Sequence, residues 1–203
     1  MTLHPSPGTD HARPLIVTLA TDAATQDSLN ALRKAHFPKE RSYLDAHVTL
    51  FHALPGDDEH AVRESLTSLC AHWQPFPLEW GAPSRHGRVV LVNLVAGLGP
   101  LAACHTALRR RWLPRLSNQD KQGFKAHVTI LNKTDEEHAR RVFDELTKRL
   151  PHARQGEAVG LDLWRYMGGP WEHLERFKFE GYQVKPQLAV DTTSTDEFPA
   201  LGR

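Results

Sequence analysis

The sequence predicts a mixed α+β protein built by duplication of one half-domain. Two observations carry that reading. The order strand, helix, strand, helix, strand runs from residue 14 and is repeated from residue 88. The second strand of each run also carries the same letters, Ala-His-Val-Thr followed by Leu or Ile, at 46–50 and 126–130. The first strands are offset by 74 positions (14 to 88) and the histidines by 80 (47 to 127). A period near eighty is too long for a solenoid unit and fits a duplicated half-domain.

Each element has its own signal. PLIVTLAT (14–21) is an apolar strand, and the helix after it, about 22–35, places Leu29 and Leu32 on one side. DAHVTLFHAL (45–54) alternates apolar and polar residues, the period of a half-buried strand. A helix over about 58–72 repeats Val62, Leu66, Leu69, Cys70 and Trp73 at helical spacing. PFPLEWGAP is a short strand closing the first half, and its prolines suggest an edge position. RVVLVNLV (88–95) is nearly continuous apolar sequence, the pattern of a strand covered on both faces. The helix over about 100–113 carries Leu101, Cys104, Leu108 and Trp112. KAHVTILN is the matching second strand, and Thr134 to Glu137 reads as a capping box opening a helix with Ala139, Val142, Phe143, Leu146 and Leu150 on one face. GLDLWRYM and ERFKFEGYQV supply the last strands, separated by a Gly-Gly-Pro turn. The expected organisation is one domain over 13–184, with halves of 13–86 and 87–184 that can exchange strands, between flexible tails at 1–12 and 185–203.

Composition narrows the function. With 25 Lys and Arg against 24 Asp and Glu, the net charge is +1. A long, non-specific nucleic-acid track needs a strong positive field, whereas a small anionic substrate or an RNA end needs only a local patch. Cys70 and Cys104 have no metal-ligand or redox spacing, so helix packing in a reducing cytosol is expected of them. The first residues lack the apolar stretch of a signal peptide, and no run reaches membrane-spanning length. A cytoplasmic monomer without an obligate protein partner or membrane contact is the expectation.

The tripeptide His-x-Ser/Thr is weak by itself. With 13 His and 22 Ser or Thr in 203 residues, chance supplies about one or two copies, and a third copy does occur at His4-Pro5-Ser6. The other two differ in kind, because each lies on a strand at an equivalent place in its half. Alternation puts His47, Thr49 and Phe51 on one face, and Lys125, His127, Thr129 and Leu131 on one face of the other strand. If a pseudo-two-fold relates the halves, two imidazoles and two hydroxyls meet across one groove. Histidine titrates near neutrality, so one can take a proton while the other gives one. Threonine hydroxyls can hydrogen-bond phosphate oxygens without adding negative charge. No carboxylate cluster accompanies the pair, which favours metal-free acid/base catalysis, with no cofactor, over a metal site.

Two His-hydrophobic-Thr-hydrophobic motifs about eighty residues apart resemble the 2H phosphoesterase superfamily, which includes the bacterial 2′-5′ RNA ligase/RNA 2′,3′-cyclic phosphodiesterase group. The resemblance covers about 13–183, including LDLWRYMGGPWEHLERFKF, which is similar to that family's closing hairpin. It implies a bilobal α+β fold with two antiparallel sheets lining a central cleft and helices outside. It implies opening of a 2′,3′-cyclic phosphate on an RNA 3′ end or small nucleotide, with no obligatory metal and with ligation as the reverse reaction. By position, His47 and His127 become the acid/base pair and Thr49 and Thr129 the phosphate ligands. An ADP-ribose cyclic phosphate substrate, or a nucleotide-binding module without catalysis, are the alternatives.

Lesser candidates surround the motifs. Phe51 shares the His47 face and could stack on a base, while His52 points to the opposite face as a structural residue. Lys125, two residues before His127, is placed to meet phosphate charge. Tyr43 and Arg41 lie in the loop entering the first motif strand, Arg88 opens a strand, and Trp171 follows Gly168-Gly169-Pro170. That glycine pair lacks the pattern of a phosphate loop. Arg109-Arg110-Arg111 reads as the solvated face of a helix.

Overall fold

The computed structural model describes residues 13–150 and 152–181, so the expected tails and the His4-Pro5-Ser6 copy lie outside the described residues. The elements are β1 (Leu15–Thr21), α1 (Ala23–His36), β2 (Val48–Leu54), α2 (Glu59–Ala71), β3 (Phe76–His86), β4 (Val89–Ala96), α3 (Leu98–Trp112), β5 (His127–Leu131), α4 (Glu136–Arg149), β6 (Arg154–Tyr166) and β7 (Trp171–Lys178). Local chemistry sets their ends. Asp22 caps α1 by accepting from the Thr25 backbone N–H at 2.9 Å and the Thr25 hydroxyl at 2.6 Å. Gly97, at φ +83°, turns the chain from β4 into α3, where a Cβ would stand 2.6 Å from the Pro77 carbonyl oxygen. The cap of α4 is Asp135, which accepts from the His138 N–H at 2.8 Å, and not Thr134 as a capping box would require. Both candidates sit before the same helix, and it is the Asp135 carboxylate that reaches the amide three residues on.

The strands pair antiparallel throughout in the order β2-β1-β6-β3-β4-β5. β1 occupies one edge of β6, while β3 (at Ala158 and before) and β7 (from Gly160 onward) follow one another along the other edge. Two curled sheets result, β2-β1-β6-β7 and β5-β4-β3-β6, which share the long strand β6. The α+β architecture with two antiparallel sheets is thus as expected, but the closing strands are not where the linear order put them. β3 does not close the first half: it pairs with β4 and β6, while β6 pairs with β1. The two strands have changed places.

This exchange is symmetric. Phe76 pairs with Ala158 and Trp80 with Arg154, on either side of the Leu78–Gly156 pair. An offset of 78 positions (76 to 154) turns the first of these pairs into the second. That offset falls between the 74 of the first strands and the 80 of the histidines, so the approximate two-fold passes between β3 and β6. β3 has a paired neighbour on one side only over most of its length: Phe76–Leu78 pair with β6 alone and Pro83–His86 with β4 alone, while Glu79 and Trp80 pair with both.

Burial sorts the strands further. Every residue of the central β1 is buried, as a strand covered on both faces must be. β4 is not of that kind, contrary to its apolar appearance: Val90, Val92 and Leu94 are buried, whereas Val89, Leu91 and Asn93 are half-buried and Val95 is exposed. The thiols of Cys70 and Cys104 are buried and pushed up to about 12 by desolvation, which leaves them as unreactive packing groups. Among the described residues no helix is long and apolar enough to cross a membrane.

Candidate active site

The motif strands β2 and β5 end the strand order on opposite sides, yet the sheet curls enough for them to approach each other directly. In each, the residues around the motif alternate as expected: Ala46, Val48 and Leu50 are buried, as are Ala126, Val128 and Ile130, while His47, Thr49, His127 and Thr129 are half-buried. The apolar set anchors the strand, and the His-Thr set lies on its other, less buried face.

Both imidazoles are held alike. Nδ1 of His47 lies 2.7 Å from the Asp45 carbonyl oxygen, and Nδ1 of His127 lies 2.9 Å from the Lys125 carbonyl oxygen. A carbonyl only accepts, so Nδ1 carries the proton in both rings and Nε2 is left to exchange protons. This matched i−2 contact is a second repeat beneath the sequence repeat. Burial pushes the pKa of His47 down to about 4, against the raising effect of the Asp45 carbonyl; the charges of Arg33, His127 and His52 lower it further. The direct approach of β2 to β5 brings the two motifs near one another.

Helix α1 supplies the support, and nothing in its sequence marks that role. Gln26 Nε2 donates to the Ala46 carbonyl at 2.8 Å, and Asn30 Oδ1 accepts from the Ala46 N–H at 2.8 Å, so the residue before His47 is held at both backbone groups. Arg33, buried in α1, donates from Nε to the Leu44 carbonyl at 3.0 Å and from Nη1 to the Thr129 carbonyl at 2.7 Å. Polar residues separated from their partners by 11 to 96 positions leave no periodic trace. On the far side, the Asn93 side chain, on the residue paired with His127, donates to the Ser84 hydroxyl at 2.7 Å.

A cavity of about 790 Å³ opens beside His47, between α1, the loop 39–45 and strands β6 and β7. Trp171 is in its wall, with its ring centroid 4.8 Å from that of His47; Trp164 stands behind it at 6.2 Å and donates to the Thr18 hydroxyl at 2.9 Å. The buried carboxylate of Asp162, held by two 2.8 Å bonds from Arg176, forms a polar part of the wall. Tyr43 lines the cavity while remaining 66% exposed. The cavity is one-sided, since Thr49, His127 and Thr129 are outside its wall.

Other candidates fall elsewhere. Phe51 is fully buried and stacks on His105 at 4.7 Å, so it cannot meet a base. A bulge explains the error. Thr18 pairs with Thr49 but Val17 with Phe51, so an extra residue intervenes and Phe51 is turned to the face opposite Thr49. The same bulge turns His52 outward instead of onto the apolar face; its N–H and ring contact the buried Asp120, a structural role. Arg88 is exposed at the β3–β4 turn, about 16 Å along β4 from Asn93 at about 3.3 Å per residue, so it does not come to either histidine. Arg41 is exposed and outside the cavity wall, and Lys125 meets His127 through its backbone while its side chain is exposed. Arg110 and Arg111 are exposed at the end of α3, as a solvated basic turn should be. Among the described residues no three His, Cys, Asp or Glu side chains cluster to hold a metal ion.

The fold has solved relatives. Escherichia coli LigT complexed with 3′-AMP aligns with a TM-score of 0.57 at 18% identity, over 83% of this chain and 98% of that one. A protein of Thermus thermophilus gives 0.56 at 14%, over 83% and 99%, and a structure described as a phosphoesterase gives 0.54 at 18%, over 82% and 98%. At such identities the likeness speaks for the fold. Sequence comparison with curated proteins finds no match. The model of the 2′-5′ RNA ligase superfamily, however, matches residues 21–170, which include both motifs. The chain belongs to that superfamily. As a 2H phosphoesterase it carries a scaffold for phosphoester chemistry, with its two AHVT strands in the superfamily's matched span.

Proposed function

We propose that the protein is a metal-independent phosphodiesterase that opens 2′,3′-cyclic phosphates on RNA 3′ ends or related cyclic nucleotides, with 2′-5′ ligation as the reverse reaction, and that it works as a cytoplasmic monomer. The observation that carries this reading is the matched pair of imidazoles. Each has Nδ1–H tied to the carbonyl two residues back, Nε2 left to exchange a proton, and a threonine two residues on along the same face. In hydrolysis His47, neutral in the free enzyme, takes the proton of the attacking water as the new P–O bond forms. His127 protonates the ribose oxygen as its bond to phosphorus breaks, giving a phosphomonoester and a free hydroxyl. The anionic substrate raises the basicity of His47, which burial and the cations around it otherwise hold low. Thr49 and Thr129 donate to the non-bridging oxygens as charge builds on them. The nucleoside enters the cavity beside His47 and packs on Trp171, with Tyr43 at the mouth.

The test is hydrolysis of nucleoside 2′,3′-cyclic phosphates in EDTA. Turnover is expected with the chelator present, and its kcat/KM should fall on the acid side near pH 4, the free-enzyme value of His47. Loss of activity on chelation would contradict the reading. A cavity of about 790 Å³ also admits a ligand larger than one nucleotide, which favours ADP-ribose cyclic phosphate as the second substrate to try.

A further inference from the structure

We propose that Arg33 is the positioning residue that couples the two halves of the site, its single guanidinium fixing the backbone that enters the first motif strand against the backbone of the second. The inference rests on the phosphodiesterase reading for its catalytic consequence and on geometry for its substance. Arg33 belongs to the first half, and its Nε donates to the Leu44 carbonyl, three residues before His47. Its Nη1 reaches across 96 positions of sequence to the Thr129 carbonyl, two residues beyond His127. A planar fork does this with a fixed angle between its donors, which a lysine ammonium cannot reproduce. The face of the same guanidinium rests on Phe37, with Cζ 3.8 Å from the ring centroid.

The cost of keeping Arg33 there is high. It is 6% exposed, and among the described residues its hydrogen bonds go to carbonyls and to no carboxylate. A buried cation of this kind is a poor means of stability, since an apolar side chain would avoid the desolvation. Its position makes sense where a small error in the spacing of two proton-transfer groups slows a reaction about a hundredfold. The other titratable groups about His47 and its cavity are Asp27 and Lys34 on α1, Lys39 and Asp45 on the entering loop, His52 on β2, His127 on β5, and the Asp162–Arg176 pair, with Asp45 the anion that acts on Arg33. None of them bonds to both motif strands.

The experiment compares wild type, Arg33→Met and Arg33→Lys, well below their unfolding temperatures. With a nucleoside 2′,3′-cyclic phosphate, both variants should lose at least about tenfold in kcat with KM held within about threefold. The acid limb of kcat/KM should move up in Arg33→Met, where the charge is gone, and stay in place in Arg33→Lys. Wild-type kcat in Arg33→Lys would overturn the proposal, because charge alone would then suffice; so would wild-type kcat in Arg33→Met. Inorganic phosphate, followed by the ring resonances of the histidines, supplies the readout independent of turnover. In wild type His47 and His127 should respond on one binding curve, and in Arg33→Met on separate curves or on ones weaker by at least about tenfold. If wild type turns over no cyclic phosphate but the titration behaves so, the substrate reading fails and the clamp stands. An unchanged common curve in Arg33→Met sinks the clamp.

Discussion

At neutral pH the His47 imidazole is uncharged because burial, aided by neighbouring cations, holds its pKa at about 4. The unfolded chain binds that proton near the ordinary histidine value of about 6.5. Between the two values the unfolded state holds more protons, so stability rises with pH there and is lost as pH falls from about 6.5 to about 4. Replacing His47 with Gln removes this dependence. Thermal unfolding should therefore show wild type losing ground to His47→Gln across that window, with a constant gap outside it; a pH-independent gap would contradict the assignment. Two aromatic substitutions separate core from site. Phe51→Ala should cost about 3–5 kcal/mol of stability and leave KM unchanged, because Phe51 is fully buried against His105. Trp171→Ala should raise KM several-fold with little change in Tm, because its ring stands against His47. Sequence made the histidines and threonines legible because strand alternation survives through Thr49. It misplaced Phe51 because a bulge, set by how β1 pairs with β2, leaves no mark in the letters of either strand.

The elements were legible wherever one apolar period ran unbroken, as in α1, α2, α3 and β1, whose bounds agree with the expected ones to within two residues. What was not legible is which element holds another. α1 has the pattern of an ordinary amphipathic helix, yet its polar side chains Gln26, Asn30 and Arg33 fix the approach to His47. A comparable anchor fastens the other end of β2. Asp120, buried after α3, accepts from the N–H groups of His52 and Ala53 at 2.8 and 2.9 Å and from the Ser117 hydroxyl at 2.9 Å. Burial opposes its charge, but these hydrogen bonds outweigh it and hold the carboxyl below the usual carboxylate range. Asp120→Ala removes the buried acceptor that these donors share and should cost about 1–3 kcal/mol by denaturant unfolding. A change within about 0.5 kcal/mol, the range of ordinary surface substitutions, would mean that the loop does not tie β2.

Over the whole molecule, the duplication was readable as a spacing and left room for an exchange of strands, whereas which strands exchange, β3 and β6, was not readable. Both strands suit either sheet by composition, and the choice is made by the neighbours they find after folding. The exchange matters for function because it interlocks the halves: β6 belongs to both sheets, so the two motif strands are carried by one body rather than by two hinged lobes. On the proposed function the two histidines act at a single site, and they should behave as one unit. The most direct test is a double-mutant cycle on kcat in EDTA with wild type, His47→Ala, His127→Ala and the double variant. Each single change should lower kcat by about a thousandfold or more, and the double should be no slower than the worse single, because residues that act together are non-additive. Either single variant retaining about half the activity, or losses that multiply in the double, would show two independent sites and contradict the account.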